Sequence, residues 1–162
     1  MNILLYIIAL LVYLLDQLVK WLVRANVPEG QTVTVIPNVL NIFHIQNVGG
    51  AFSIFPNQTW LFVLVALVVT VAVIVVERRF RPTLMMQFGL GFLLGGAVGN
   101  MTDRIITHSV TDFVSIIIGQ YHFAIFNLAD VAVDVGVLLL LINSFRSTKD
   151  TETNTKKEDM NS

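Results

Sequence analysis

The sequence predicts an all-α integral membrane protein with four transmembrane helices and a small extracytoplasmic β-sheet between helices 1 and 2. The 162 residues are 55% apolar and only 13% charged, about half the charged fraction of an average globular protein. Four long apolar stretches and two segments of alternating apolar and polar residues carry the prediction. The absence of cysteine excludes disulfides and a cysteine nucleophile. The net charge of −1 gives no basic surface for nucleic acid.

The four predicted spans are long enough, with their flanks, to cross a bilayer, which takes about 20 helical residues. The first stretch resembles the core of a signal peptide. Because it lacks a basic start and a small-residue cleavage site, we expect a retained helix. Residues 1–145 are expected to form one membrane-embedded domain, and the charged residues 146–162 a disordered cytoplasmic tail. The spans are residues 3–23, 60–76, 84–106 and 123–143.

Basic residues predict the orientation. The short link at residues 77–82 carries three arginines and the tail carries more Lys and Arg, so both should be cytoplasmic. Residues 24–59 and 106–122 then lie outside. Within the first of these, residues 32–35 and 40–45 alternate as strands do, which predicts the sheet at the outer membrane surface.

Polar side chains cluster toward the outer half of the spans, although an ionisable residue there costs about 2.5–3.5 kcal/mol on insertion scales. Each group also has a structural interpretation. Asp16 and Lys20, four residues apart, can form an ion pair, and Asp103 can pair with the adjacent Arg104 or contact lipid headgroups. Asparagines can join helices by hydrogen bonds, and acids can be neutral or solvated. The remaining members are Asn100, Asp112, Asn127, Asp130 and Asp134.

Other catalytic patterns are missing from the sequence. The three histidines lack H-E-x-x-H spacing, so a zinc peptidase is not indicated and no metal site is predicted. There is no G-x-S-x-G motif. The glycines at 91, 95 and 99 instead indicate close helix packing.

Asp112 and Asp130 can meet if the outer link folds back onto the fourth span. Two adjacent carboxyl groups share a proton and can activate water, as in aspartic peptidases. The same acidic residues are also compatible with two other classes of protein. Asp130 and Asp134 could bind a proton or cation in a small transporter, or all the acids could be structural in a non-catalytic assembly factor.

The chain resembles the lipoprotein signal peptidase (signal peptidase II) family over nearly its whole length. Five motifs in order carry the resemblance. Gly50, where alanine is more usual, and Asp134, where a small or apolar residue is expected, are departures from the family pattern. The motifs are D-Q-L-V-K at 16–20, N-V-G-G-A-F-S at 47–53, G-G-A-V-G-N-x-x-D-R at 95–104, V-T-D-F at 110–113 and F-N-L-A-D at 126–130.

The resemblance implies an aspartic endopeptidase that removes the signal peptide of diacylglyceryl-modified prolipoproteins before the lipidated cysteine. It implies Asp112 and Asp130 as the catalytic pair, sensitivity to globomycin-type inhibitors, and an active site near the outer face of a bacterial plasma or inner membrane. We expect a monomer in membrane lipid, with no cofactor. The glycine-rich loop after Asn47 is expected to close over the substrate. The expected support or substrate-contact residues are Asp16, Lys20, Asn47, Gly49, Phe52, Gly99, Asn100, Asp103, Arg104, Asn127 and Ala129.

Overall fold

The computed structural model describes residues 2–50 and 54–159, with side chains described as far as Arg146. Within that part, four helices are long and apolar enough to cross a membrane. In the last helix the segment with this property is Leu128–Arg146. The helices are α1 (Ile3–Asn26), α2 (Thr59–Arg79), α3 (Leu84–Thr107) and α4 (Leu128–Asp159).

Helix bounds differ from the predicted ones mainly at α4, which begins at Leu128 rather than at residue 123. Residues Tyr121–His122 form a short strand, and Phe126 pairs with Val114 across a β-bridge. The apolar residues before Leu128 therefore belong to the sheet region and not to the helix. The predicted boundary at residue 145 and the disorder of the tail stay predictions.

The small sheet is larger than predicted, because both non-helical links of the chain build it. Strands β1 (Thr32–Ile36) and β2 (Leu40–Asn47) come from the expected link between α1 and α2. Strands β3 (Val110–Ile118) and β4 (Tyr121–His122) come from the link between α3 and α4. The antiparallel order is β1-β2-β3-β4. The strands predicted between helices 1 and 2 are therefore confirmed, and the sheet also includes two strands from the link between α3 and α4 that were not predicted.

Helix α3 lies at the centre of the bundle and packs against α1, α2 and α4. Its glycines make this possible. A Cβ at Gly95 would lie 2.6 Å from the carbonyl oxygen of Ala9 in α1, and a Cβ at Gly89 would lie 2.9 Å from Leu140 in α4. The packing role predicted for the glycines of this helix is confirmed, since larger side chains would force the helices apart.

Helix α2 exposes most of its apolar surface. Leu64 is 55% exposed and Val68 59%, and only Val73 and Glu77 are buried. Such a helix would be unstable in water but suits lipid, where outward apolar side chains cost nothing. At the end of the bundle away from the sheet, the Glu77 carboxylate accepts from the backbone N–H of Asn2 at 2.7 Å. This contact joins the start of α1 to the end of α2.

Candidate active site

The two carboxyl groups predicted to act together line one cleft of about 570 Å³. Asp112 lies on β3 with only 3% of its surface exposed, so it is not a solvated loop residue. Asp130 lies in the first turn of α4 and is partly buried. Polar residues and apolar residues share the lining, which includes Asn47, Asn100, Arg104, Phe123, Ile125, Phe126, Val131 and Asp134.

Strand pairing brings Asn47 to Asp112. In the β2–β3 register, Asn47 stands opposite Val110 and Ile45 opposite Asp112, so Asn47 and Asp112 are diagonal neighbours on one face. The Asn47 side-chain amide donates to Asp112 Oδ2 at 2.8 Å and to the carbonyl of Gly50 at 3.2 Å. Asn47 therefore ties the glycine-rich loop to the first acid.

Asn127 connects both acids. Its side-chain amide donates to Asp112 Oδ1 at 2.6 Å, and its backbone N–H donates to Asp130 Oδ2 at 3.1 Å. In return, its Oδ1 accepts from the Asp130 N–H at 3.0 Å. This reciprocal pair is a capping box at the start of α4. The helix cap thus also fixes the Asp130 carboxylate.

Asn100 holds the second acid from α3. Its Nδ2 donates to Asp130 Oδ1 at 2.7 Å, while its Oδ1 accepts from Lys20 at 2.9 Å and from Asn127 at 3.1 Å. All four carboxyl oxygens of the two acids therefore accept a bond from an asparagine. Because each oxygen has a second lone pair, the carboxyls remain able to bind water or substrate.

Behind Asn100 lies a fully buried ion network. The Lys20 ammonium, 0% exposed, lies 2.9 Å from carboxylate oxygens of both Asp16 and Asp103. With Asn100 as third acceptor, all three ammonium protons have partners. The predicted Asp16–Lys20 pair is confirmed, but it is part of a larger buried cluster rather than an isolated interfacial pair.

Asp16 extends this cluster to α4. Its Oδ1 accepts from the backbone N–H of Ala129 at 2.9 Å, one residue before Asp130. Its Oδ2 lies where Gly99 leaves room, since a Cβ there would be 2.6 Å away. Gly99 and Ala129 therefore support the site through backbone and space rather than through reactive groups.

Arg104 and Asp103 do not act as the expected pair. Asp103 binds Lys20 and lies 3.8 Å from Arg24. Arg104 turns to the cleft, where it donates to the carbonyl of Gly49 at 3.1 Å and to that of Asn100 at 3.3 Å. Neighbours on a helix point about 100° apart, so each residue serves a different set of contacts.

Burial first, and then the nearby Asp130 charge, raise the pKa of Asp112 to about 6, against the hydrogen bonds from Asn47 and Asn127 that lower it. An exposed aspartate has a pKa of about 3.9. Asp112 therefore keeps its proton over a pH range in which a surface aspartate has lost it.

Two residues that contact the site residues, Gln17 and Thr111, were not predicted from the sequence. Gln17 donates to Asp16, to the Gly99 carbonyl and to Asp103 at 3.2–3.3 Å, and its place beside Asp16 in the first motif was the available signal. Thr111, fully buried, accepts from Arg24 at 3.0 Å; its position beside Asp112 was the only hint. The prediction for Phe52 falls outside the described residues.

The comparisons with known proteins agree over most of the chain. The sequence profile of a family described as "Signal peptidase (SPase) II" matches residues 8–146. The chain is 43% identical over 141 residues to a lipoprotein signal peptidase of Geobacillus thermodenitrificans, covering 86% of this chain and 88% of that protein. It is 40% identical over 148 residues to one of Listeria monocytogenes, covering 91% and 96%.

The fold agrees with solved structures as well. One, described as a bacterial membrane enzyme structure obtained by the in meso method at 2.3 Å resolution, superposes with a TM-score of 0.83 and 32% identity, covering 89% of this chain and 88% of that one. A second, at 1.9 Å, gives 0.77 and 33%, covering 85% and 89%. With a profile match across its four helices and relatives above 40% identity, the chain belongs to the signal peptidase II family.

Proposed function

We propose that the protein is an aspartic endopeptidase that removes the signal peptide from diacylglyceryl-modified prolipoproteins, cutting before the lipidated cysteine. One observation carries the aspartic mechanism: Asp112 and Asp130 line one cleft with every carboxyl oxygen held by an asparagine. Membership of a family of signal peptidases, and relatives named lipoprotein signal peptidases, support the reaction and the substrate class.

The proposed chemistry is direct attack of water on the scissile carbonyl. The ionised carboxyl takes a proton from the water, and the protonated carboxyl donates a hydrogen bond to the carbonyl oxygen. The tetrahedral intermediate then collapses as the leaving amide nitrogen accepts the proton that the initially ionised carboxyl took from the water, which restores the original state of the pair. Because the pKa of Asp112 is raised to about 6, we assign the role of the protonated carboxyl to Asp112.

The asparagines contribute by orientation. Asn47 at the end of β2 and Asn127 at the start of α4 both donate to Asp112. Asn100 in α3 donates to Asp130. Prearranged donors spare the reaction the cost of turning dipoles in the transition state. The buried Lys20 cluster fixes Asn100 from behind. Arg104 lies beside both acids in the lining and offers positive charge where the intermediate gains negative charge.

The cleft suits a lipidated peptide because it combines the polar pair with an apolar wall. Phe123, Ile125, Val131 and Val135 belong to that wall. An apolar signal segment can lie against it while the acyl chains stay in the surrounding lipid, which avoids the cost of moving them into water. The exposed apolar surface of α2 and α1 is the matching lipid-facing surface.

The proposal also includes the orientation of the protein in the membrane. The protein is a multi-pass bacterial membrane protein by its helices and its family. The arginine-rich link and the basic tail favour cytoplasmic termini, which would put the sheet and the acids at the outer face. Both sheet-forming links lie at one end of the bundle, so they share one side of the membrane.

The direct test uses purified protein with a synthetic diacylglyceryl-modified prolipoprotein peptide, with and without globomycin, and mass spectrometry of the products. The expected result is a single cut before the lipidated cysteine that globomycin prevents. Cleavage elsewhere, or none, would overturn the proposal. A transporter with Asp130 and Asp134 as its ion site predicts instead a proton flux in proteoliposomes.

A further inference from the structure

Phe62 on α2 touches the site although its helix brings no polar group to it. The Arg104 guanidinium carbon lies 4.8 Å from the centre of the Phe62 ring, a cation–π distance. The backbone of Gly50 lies against the same ring: a Cβ built there would be 2.8 Å from Cε1 and Cζ. One ring therefore contacts both an arginine of α3 and the glycine-rich loop.

These two contacts lead to the first acid by a short path. Arg104 donates to the carbonyl of Gly49 at 3.1 Å. Asn47 donates both to the carbonyl of Gly50 and to Asp112 Oδ2. The backbone of Gly49 and Gly50 thus lies between the Phe62–Arg104 stack and the amide that orients Asp112.

We propose that Phe62 is a positioning residue for the peptidase reaction, whose ring sets the separation between Arg104 and the Gly49–Gly50 backbone and, through Asn47, the orientation of Asp112. This inference rests on the proposed function. It also accounts for glycine at position 50, because the ring occupies the space that an alanine methyl group would need.

The inward placement of Phe62 separates this role from ordinary lipid-facing packing. Its neighbours Leu61 and Leu64 are 44% and 55% exposed, whereas Phe62 is partly buried. Truncating an outward leucine removes lipid contacts only. Truncating Phe62 removes the support under both the guanidinium and the loop.

The test is a double-mutant cycle of Phe62→Leu and Gly50→Ala, with kcat and KM measured separately on the lipidated peptide. Misplacement of a catalytic group by about 1 Å can cost on the order of 100-fold, so Gly50→Ala should lower kcat about 10- to 100-fold with less change in KM. The double variant should regain about 5-fold or more over Gly50→Ala, because the smaller side chain admits the methyl group. Leu64→Val is the matched lipid-facing control and should stay near wild type.

The positioning role would be overturned if the kcat losses of the two single variants simply multiply in the double variant. It would also be overturned if Phe62→Leu keeps the wild-type kcat. A second readout does not depend on cleavage. ¹³C NMR of the Asp112 carboxyl should show a higher pKa in Phe62→Leu, because the Asn47 hydrogen bond that lowers it is disturbed, and no change in Leu64→Val. If wild type cut no peptide, the proposed function would fail, and an unaltered Asp112 titration would separately refute this inference.

Discussion

The side-chain amide of Asn127 donates to Asp112 Oδ1 at 2.6 Å. The same residue caps α4 and holds Asp130 through its backbone N–H. The residue that caps α4 therefore also connects the two acids. The strand bearing Asp112 is anchored at the same place, since Phe126 exchanges backbone hydrogen bonds with Val114.

Two substitutions separate the capping of α4 by Asn127 from its hydrogen bond to Asp112. Serine is a good helix cap but is too short to reach Asp112 as asparagine does, whereas alanine loses both functions. Asn127→Ala should lose about 1 kcal/mol or more of unfolding free energy from the cap alone, and most of its activity. Asn127→Ser should recover part of the stability but little of the activity. Thermal unfolding in detergent and peptide cleavage measure the two effects; equal recovery of both would argue against a separate role in orienting Asp112.

The titration of Asp112 depends on its neighbour. Asp130→Asn removes the charge that raises the Asp112 pKa, so that pKa should fall below about 6. It should stay above that of an exposed aspartate, about 3.9, because burial, the larger cause, persists. ¹³C NMR titration of labelled aspartate, assigned with Asp112→Asn, gives the value. A rise in the pKa would contradict the arrangement.

The raised pKa of Asp112 makes the free energy of unfolding depend on pH. The folded protein binds the Asp112 proton more tightly than the unfolded chain does, so this group stabilises the fold most below pH about 4. That contribution is lost as the pH rises through about 6. Asp112→Asn should remove this part of the pH dependence of unfolding.

Lys20 should be required for folding rather than for chemistry. Lys20→Met removes the cation that lies 2.9 Å from both Asp16 and Asp103 and leaves Asp103 only the more distant Arg24 at 3.8 Å. Breaking a buried ion pair in this way costs about 3–5 kcal/mol. The exposed Arg79 supplies the control, since Arg79→Met should change thermal unfolding little. Similar effects of the two substitutions would show that the buried cluster contributes no net stability.

The absence of cysteine makes the orientation simple to test. Val35→Cys lies on β1, where the side chain is 53% exposed, and Arg79→Cys lies at the other end of the bundle. A membrane-impermeant maleimide should label position 35 in intact cells and position 79 only after permeabilisation. The reverse pattern would place the acids on the cytoplasmic side.

Local patterns sufficed for much of the fold. Long apolar runs predicted the four helices, and the alternation at residues 32–35 and 40–45 predicted β1 and β2. Strand β3 was missed although its sequence, Val110–Ile118, is rich in β-branched residues, because its polar residues and its position between two spans favoured a simple link. The start of α4 was misplaced because residues 123–126 are as apolar as a span.

The site itself depended on contacts that one sequence does not encode locally. Asp16 and Ala129 are 113 residues apart in the chain, and nothing near either residue specifies the other. Asn127 and Asp130, by contrast, have the spacing of a capping box, so their mutual hydrogen bonds were predictable from the sequence. The motif resemblance supplied the proposed catalytic pair. It did not predict that Phe62 lies under the arginine and the glycine loop.

The most direct measurement of the central claim is single-turnover cleavage of a lipidated prolipoprotein peptide by Asp112→Asn and Asp130→Asn, each checked for folding and membrane insertion. Asp134→Asn is the control, because Asp134 also lines the cleft but has no part in the proposed reaction. Both dyad variants should be folded and lose nearly all activity, while Asp134→Asn should keep it. Near-wild-type cleavage by either dyad variant would contradict a mechanism in which the two carboxyl groups jointly activate water.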